Sequence, residues 1–291
     1  MTESCNRRLR NLLGERKAVL LPGAANALAA RVIEDIGFKA IYVTGAGVTN
    51  TFLGVPDIGL ITLSELASHV SAMREAVALP LIVDADTGFG NAINVGRTVQ
   101  VLERSGSNAI QLEDQDFPKK CGHFADKSVI PRAEMVQKIH AAVDARIDPD
   151  LVIVARTDAI ATNGFEDAME RAAAYIEAGA DMTFVEAPRT KEQIAEIPKR
   201  LAVPQIINIV AGGLTPMISL GELEKMDFTM ALYANAALQA SIAGMQKVLG
   251  HLKARGSLDG VAGELAGFEE RQRLVLKPHF DALEKKYSVP E

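Results

Sequence analysis

The stretch PLIVDADTGFGNAINVGRTVQVLERSGSNAIQLED, residues 80–114, contains the unit from which the fold can be inferred. It starts with an apolar run that ends in two aspartates, continues with apolar residues at three- and four-residue spacing, and reaches a glycine before a second apolar run. These patterns predict a buried strand, an amphipathic helix, a helix stop and a second strand. Strand, helix and strand in this order favour a parallel β-α-β unit.

The same unit recurs along the 291 residues of the chain. Short apolar runs lie at 18–24, 40–46, 80–86, 109–114, 151–158, 182–187, 204–210 and 230–234. Eight such runs, each near-continuous because both faces are covered, predict a (β/α)8 barrel of the α/β class, whereas a doubly wound open sheet is the alternative. We expect a single domain over residues 1–291, with a C-terminal helical extension at about 256–291 that packs outside the barrel or on a partner subunit.

Composition narrows the class of partner. A net charge of -6 and the lack of basic runs argue against nucleic acid and favour a small-molecule ligand. The N-terminal residues lack the apolar stretch of a signal peptide, and no run of about 18 apolar residues occurs, so we expect a cytoplasmic protein without a membrane partner. Cys5 and Cys121 are too few for a disulfide scaffold and are expected to be reduced.

Polar residues follow the predicted strands at their carboxyl ends, where barrel enzymes place their active sites. They are Tyr42, Thr44, Asp84, Asp86, Glu113, Asp114, Arg156, Asp158, Glu186 and Asn208. We therefore expect these side chains to converge on one mouth of the barrel.

The acidic members of this set suggest a metal site. Asp84 and Asp86 are two residues apart, so on a strand their side chains would leave the same face, beside Glu113 on the next strand. Three carboxylates this close would repel one another unless a cation neutralises them. Oxygen ligands without a histidine pair favour Mg²⁺, with Mn²⁺ possible, over Zn²⁺. The alternative is that these acids pair with Lys or Arg or cap the following helices.

The sequence KKCGH, residues 119–123, follows the fourth strand and should overhang the acidic site. Lys119, Lys120 and His123 would pull the pKa of the Cys121 thiol below its free value of about 8.5, so that it could exchange protons near neutral pH. Cys121 is thus a candidate proton donor or nucleophile. A solvated basic loop with a bystander cysteine is the alternative.

Strands five to seven offer groups that could bind a carboxylate. Arg156 could form a bidentate clamp, Glu186 could orient that clamp, and Asn208 supplies a neutral amide. Each could instead be a satisfied polar residue of the barrel interior.

Seven segments together carry a family resemblance: YVTGAG, LGVPDIG, VDADTGFG, QLEDQ, KKCGH, VARTDA and VEAP. Through them the chain resembles the isocitrate lyase and phosphoenolpyruvate mutase superfamily over essentially its whole length. KKCGH after DADTGFG is typical of the carbon–carbon lyase branch, whereas the mutase, phosphonopyruvate hydrolase and oxaloacetate decarboxylase branches generally lack that cysteine. Within the lyases the chain is most similar to the short 2-methylisocitrate, 2,3-dimethylmalate and petal-death-type enzymes.

The resemblance implies a role for individual residues. Asp86 would contact Mg²⁺, and Asp84 and Glu113 would hold its water ligands. The backbone of Gly45 and Ala46, with Thr44, would receive the carboxylate of a 2-oxo acid. The remaining family positions are matched by Lys119, Gly122, His123, Arg156, Glu186 and Asn208, with Asp57 at an acidic gate position. Family members exchange the eighth helix between subunits, which implies a homotetramer built as a dimer of dimers.

The implied chemistry is retro-aldol cleavage of the C2–C3 bond of a 2-hydroxy di- or tricarboxylate into a 2-oxo acid and a carboxylate. Cys121 would protonate the leaving carbon, Arg156 would hold the carboxylate, and Tyr42 or a metal-activated water would take the hydroxyl proton. Hydrolysis or decarboxylation of oxaloacetate and phosphonopyruvate-type mutase or hydrolase chemistry are the alternatives on this scaffold. A Schiff-base aldolase would need a lysine in a strand, and none of the eight runs has one.

Two departures from the family pattern bear on the substrate. Methylisocitrate lyases usually carry Ser-Gly-Gly where this chain has Thr44, Gly45 and Ala46, and several relatives have YPLSA where it has Ala234 and Asn235. The residues that shape the pocket are expected to include Phe184, Asn208, Leu232 and Ala234.

Overall fold

A computed structural model describes residues 3–15, 17–120, 127–210 and 212–289. Its strands form a closed parallel barrel in sequential order, which confirms the predicted (β/α)8 fold and excludes the open sheet. The strands are β1 (Val19–Ala24), β2 (Ile41–Val43), β3 (Leu81–Asp84), β4 (Ala109–Glu113), β5 (Val152–Thr157), β6 (Met182–Val185), β7 (Gln205–Asn208) and β8 (Met230–Tyr233). The helices are α1 (Cys5–Gly14), α2 (Ala27–Ile36), α3 (Gly45–Phe52), α4 (Leu63–Ala76), α5 (Ala92–Arg104), α6 (Arg132–Ala145), α7 (Phe165–Glu177), α8 (Lys191–Arg200), α9 (Leu220–Lys225), α10 (Ala236–Arg255), α11 (Phe268–Leu274) and α12 (Lys277–Tyr287).

Local sequence signals fix several helix boundaries. Helix α4 begins with a capping box, in which the Thr62 hydroxyl accepts from the Glu65 N–H and the Glu65 carboxylate accepts from the Thr62 N–H. The glycine predicted to stop α5, Gly106, adopts the left-handed conformation with φ of 102°, and Gly179 after α7 does the same with φ of 103°. The predicted helix stop at Gly106 is therefore confirmed.

Strands β2 and β3 end earlier than the sequence predicted, and both ends shape the site. β2 ends at Val43 because the Thr44 hydroxyl accepts from the Gly47 N–H (3.2 Å) and so caps α3. β3 ends at Asp84, and Asp86 lies beyond it with φ of 48°. The expectation that Asp84 and Asp86 share one face of an extended strand is therefore wrong, since the chain turns between them.

The barrel interior is apolar and its amino-terminal end is closed. Side chains of the strands, among them Ile82 and Phe184, pack with Leu9, Leu12 and Leu13 of α1 in one buried cluster. Fully burying a leucine stabilises a fold by about 1.5 to 3 kcal/mol, so these three leucines hold α1 firmly over that end. The carboxyl ends of the strands are consequently where the barrel opens to a ligand.

The C-terminal helices leave much apolar surface exposed. Among the twenty residues of α10, all of them described, Val248 alone is buried, and no described residue of α11 or α12 is buried. The exposed apolar side chains of this region include Met245, Leu249, Phe268 and Phe280. In the described part of the chain no helix has the length and apolar character needed to cross a membrane.

Candidate active site

A cavity at the carboxyl ends of the strands brings together most of the predicted site residues. Its lining includes Tyr42, Thr44, Ala46, Asp57, Asp84, Glu113, Lys119, Arg156, Glu186 and Asn208, together with the predicted pocket residues Phe184, Leu232 and Ala234. The cavity measures about 40 Å³. A water needs roughly 10 to 15 Å³ on this measure, so the space suits an ion with a water or two, and a carboxylic acid substrate needs some of the lining to move.

The carboxylates of Asp84 and Asp86 face one small space beside Gly45. A Cβ atom at position 45 would lie 3.2 Å from both Asp84 Oδ2 and Asp86 Oδ1. The other oxygen of Asp84 accepts from the Gln111 side-chain amide at 3.1 Å and from the Asp86 N–H at 3.3 Å. The turn after β3 thus keeps the two acids together although they do not share a strand face.

Lys119 inserts a buried cation into this acidic group. Its ammonium lies 2.5 Å from Asp57 Oδ1 and 2.7 Å from Asp86 Oδ1, and its side chain is 3% exposed. Burial alone would lower the pKa of Lys119, but attraction to Asp86, Glu113 and Asp57 outweighs it and raises that pKa well above its ordinary value. Lys119 is therefore charged at neutral pH and joins the predicted gate residue Asp57 to the predicted metal ligand Asp86.

The remaining acids of the group are also perturbed. Burial, and repulsion from Asp84 and Asp57 that Lys119 only partly offsets, raises the pKa of Asp86 to about 6. The pKa of Glu113 is raised well above its ordinary value, again mainly by burial. Its Oε1 atom is buried and has no hydrogen-bond partner among the described residues. Unpaired buried oxygens of this kind are costly unless something else satisfies them.

We compared this donor set with the requirements of Mg²⁺. In the described residues no three His, Cys, Asp or Glu side chains are grouped so that they could hold a metal ion together. The carboxylates of Asp84 and Asp86 face one space, and the unsatisfied Glu113 oxygen belongs to a residue that lines the cavity with Asp84. This arrangement suits a hard cation that keeps several waters and binds few protein atoms directly. The residues present fit such an ion, provided that the Asp86–Lys119 pair adjusts.

Arg156 also lines the cavity. Its Nε and Nη2 atoms donate to the two carboxylate oxygens of Asp158 at 2.9 and 3.1 Å. Glu113 and Glu186 lie 3.4 and 3.3 Å from its terminal nitrogens, and the ring of Phe184 lies 5.1 Å from its central carbon. The guanidinium is therefore fixed in a buried acidic setting and can serve as a carboxylate clamp.

Tyr42 is held in the cavity lining by hydrogen bonding. Its hydroxyl donates to the side-chain Oε1 of Gln111 at 3.0 Å, and Nε2 of the same amide donates to Asp84. Burial, reinforced by the charge of Asp84, raises the pKa of Tyr42 well above its ordinary value. The neutral phenol therefore predominates at neutral pH, which favours a donor role over the base role considered from the sequence.

The predicted carboxylate-binding backbone lies at the start of a helix. Gly45 and Ala46 are the first two residues of α3, where N–H groups lack partners within the helix. An anion is stabilised by these groups and by the helix dipole. The Thr44 hydroxyl also donates to Asn235 Oδ1 at 3.3 Å, so the two positions that depart from the family pattern contact each other.

The site has residues that sequence reasoning could not place or did not identify. Cys121, Gly122 and His123 lie outside the described residues, so their predicted roles stay predictions. Gln111 and Asp158 carry direct contacts to site residues but received no role from the sequence. Asp158 had been noted at the end of a strand, and the position of Gln111 within an apolar strand was the available signal.

Comparisons with known proteins agree with this architecture. Residues 9–253 match the family described as phosphoenolpyruvate phosphomutase. The chain is 41% identical to 2,3-dimethylmalate lyase of Eubacterium barkeri, over 97% of this chain and 98% of that protein. It is 44% identical to 2-methylisocitrate lyase of Aeropyrum pernix, over 88% of this chain and 82% of that protein.

A solved structure of oxaloacetate acetylhydrolase with the inhibitor 3,3-difluorooxalacetate is also similar. It superposes with a TM-score of 0.90 at 35% identity and covers 97% of this chain and 95% of its own. The family predicted from the motifs is confirmed, and so is the predicted enzyme class. The chain belongs to the phosphoenolpyruvate mutase and isocitrate lyase superfamily and is a carbon–carbon lyase of that group.

Proposed function

We propose that this enzyme is Mg²⁺-dependent and cleaves the C2–C3 bond of an alkylated 2-hydroxy di- or tricarboxylate, of the 2-methylisocitrate or 2,3-dialkylmalate type. The products would be a 2-oxo acid and a carboxylate. One observation carries the proposal: a group of buried acids and a fixed arginine line the same cavity at the mouth of the barrel. The names of the two lyase relatives support this substrate class.

The metal would be held by Asp86, with Asp84 and Glu113 binding its waters, and Mn²⁺ could replace Mg²⁺. When bound, the ion supplies a positive charge that stabilises negative charge developing on the oxygen at C2. The unsatisfied Glu113 oxygen and the space shared by Asp84 and Asp86 support this assignment.

Protein groups would bind and orient the substrate. The first N–H groups of α3, at Gly45 and Ala46, would receive the carboxylate of the 2-oxo acid half, and Thr44 keeps that end of the helix in place. Arg156 would bind the carboxylate of the other half, with Glu186 and Asn208 beside it in the cavity lining. Two carboxylates bound at separate points fix the C2–C3 bond between them, which lowers the entropic part of the barrier.

Proton transfer completes the reaction. Cleavage would require the C2 hydroxyl to lose its proton, and a water held by Asp84 and Glu113 is the remaining candidate base because Tyr42 is a neutral phenol. The negative charge then left on the carbon next to the carboxylate at Arg156 would be neutralised by a proton from the Cys121 thiol. Lys119, with its raised pKa, stays charged and contributes positive potential in the same cavity. Gly122 and His123 would adjoin the thiol, as the resemblance implies.

Hydrolysis of oxaloacetate is the second candidate, because the chain superposes closely on oxaloacetate acetylhydrolase. The same metal and clamp would bind a four-carbon 2-oxo diacid. The products distinguish these reactions, since the lyase would release a 2-oxo acid and a carboxylate, hydrolysis of oxaloacetate would give acetate and oxalate, and its decarboxylation would give pyruvate and CO₂. A ³¹P measurement with phosphonopyruvate would test for mutase or phosphonate hydrolase activity.

We also propose that the enzyme is a cytoplasmic homotetramer. The exposed apolar side chains of α10, α11 and α12 support an exchange of helices between subunits. Helices with this much exposed apolar side chain are typical of elements that pack on a partner.

The decisive experiment is a substrate panel with Mg²⁺, comprising 2-methylisocitrate, isocitrate, 2,3-dimethylmalate, citramalate and oxaloacetate, with products identified by NMR. The expected result is 2-oxo acid release from one alkylated hydroxy acid, abolished by Arg156→Gln. A matched control is Asp181→Asn, which alters a carboxylate paired with two arginines at the closed end of the barrel. Turnover of oxaloacetate alone would overturn the lyase assignment in favour of the hydrolase or decarboxylase.

A further inference from the structure

Asp158 makes the shortest contacts to the guanidinium of Arg156. Its two oxygens accept from Nε and Nη2 at 2.9 and 3.1 Å, whereas the other acids near Arg156 lie at 3.3 and 3.4 Å. A forked pair of this geometry fixes the plane of the guanidinium as well as its position. Nη1 lies outside this fork, 3.4 Å from Glu113 Oε2, and is the terminal nitrogen that a ligand carboxylate could engage.

Asp158 is itself held by two contacts besides that with Arg156. Its N–H donates to Asp114 Oδ1 at 2.9 Å, and its Oδ1 atom also accepts from Lys127 Nζ at 2.8 Å. The other oxygen of Asp114 accepts from the hydroxyls of Thr157 (2.7 Å) and Tyr175 (2.8 Å). Asp114 and the Asp158 side chain are fully buried, so this network anchors the fork to β4, β5 and α7.

The charges around Arg156 explain why such an anchor is needed. Glu113 and Glu186 both attract the same guanidinium, and without Asp158 the side chain could turn towards either of them. The orientation held by Asp158 is the one that leaves Nη1 outside the fork. A misplacement of about 1 Å in a binding group can cost roughly 10²-fold in rate.

We infer that Asp158 is a positioning residue that orients Arg156 for the substrate carboxylate and acts on the reaction only through that arginine. This inference rests on the proposed function, in which Arg156 is the carboxylate clamp. Lys127 and Asp114 complete the device by holding Asp158 in place.

The test is a double-mutant cycle with Arg156→Gln, Asp158→Asn and the double variant, measured as kcat/KM on the substrate found in the panel. We expect Asp158→Asn to lower kcat/KM by roughly 10²-fold. Because Asp158 acts through Arg156, the double variant should match Arg156→Gln within about threefold. The control Asp181→Asn, which also loses a carboxylate held by two cations, should stay within about threefold of the parent enzyme.

A second variant covers the case in which Asp158→Asn does not fold. Asp158→Glu keeps the buried charge beside Arg156 and Lys127 but moves the carboxylate by one methylene. A positioning role predicts that Glu also lowers kcat/KM at least tenfold, whereas a role in charge balance alone predicts full rescue. Losses that multiply in the double variant, or rescue by Glu, would overturn the inference.

A binding measurement separates this inference from the proposed function. Succinate, whose two carboxylates are spaced like those of a four-carbon 2-hydroxy diacid, is titrated calorimetrically with Mg²⁺ into the parent, Asp158→Asn and Asp181→Asn proteins, and 2-oxo acid release is measured separately. Absence of turnover in the parent protein would count against the proposed function alone. Weaker succinate binding in Asp158→Asn but not in Asp181→Asn would still support the positioning role, and equal binding in all three would overturn it.

Discussion

Replacing Lys119 with methionine removes the cation that joins Asp57 and Asp86. The ammonium lies 2.5 and 2.7 Å from these carboxylates and its side chain is 3% exposed, so both acids would lose a buried partner. Breaking a buried pair by removing one partner costs about 3 to 5 kcal/mol. At about 2 to 3 °C per kcal/mol, this predicts a fall in Tm of roughly 6 to 15 °C in metal-free buffer at pH 8.

The loss of stability in Lys119→Met should depend on pH in a defined direction. Asp86 has a pKa of about 6 in the folded protein and about 3.8 as its reference value, so the folded state binds the proton more tightly. Stability from this group therefore rises as pH falls through the interval from about 6 to 4. Lys119→Met raises that pKa further, so its deficit should be smaller at pH 5.5 than at pH 8. Mg²⁺ should also stabilise the variant more than the parent, because no ammonium competes for Asp86.

The assay is thermal unfolding followed by circular dichroism at both pH values, with and without Mg²⁺. Lys191→Met is the matched control, since Lys191 forms an exposed pair with Glu222 at 2.9 Å and should cost less than about 1 kcal/mol. A Lys119→Met protein that melts within about 2 °C of the parent, with the same pH dependence, would refute the reasoning.

Three further predictions follow from the structure and the proposals. Cys121→Ser should retain metal and oxalate binding but lose more than about nine-tenths of the lyase activity. The reason is that a positioned acid raises the rate about 10²- to 10⁴-fold. A variant with a tenth or more of parental activity would contradict the donor role. Tyr175→Phe removes the 2.8 Å hydrogen bond to Asp114 and should lower the free energy of unfolding by about 1 to 3 kcal/mol in urea titration; an unchanged urea midpoint would argue against the importance of that bond. In size-exclusion chromatography with light scattering, the parent protein should elute as a tetramer. Phe280→Glu should elute as smaller species, since Phe280 is exposed in the described chain. A parent protein that elutes as a monomer would exclude the helix exchange.

The sequence was sufficient for the barrel because its signals are local. Each strand is a short apolar run, and Gly106 and Gly179 end helices by a conformation that glycine adopts without strain. The choice of a closed barrel over an open sheet came from the number of repeats. The early end of β2 was missed because Thr44 could continue a strand or cap a helix, and its hydroxyl caps α3.

The site was predictable in residue type but not in pairing. Residues at the strand ends were expected to converge, and most line one cavity. The contact of Lys119 with Asp57 joins residues 62 positions apart, and no local pattern reports it. The turn at Asp86 was missed for a related reason. The sequence does not reveal that Asp86 has a positive φ, so the residue was assigned to the preceding strand. Asp158 was visible only as a polar strand end, and its role depends on the orientation of Arg156.

Titration of Mn²⁺ into the metal-free protein, followed by electron paramagnetic resonance, tests the central claim most directly. We expect the parent protein to bind one Mn²⁺ ion tightly per chain, and Mg²⁺ to displace it. Asp86→Asn should lose this binding, and Asp181→Asn should keep it unchanged. A parent protein that binds no Mn²⁺, or an Asp86→Asn variant that binds it as tightly as the parent, would contradict the metal-dependent site at the mouth of this barrel.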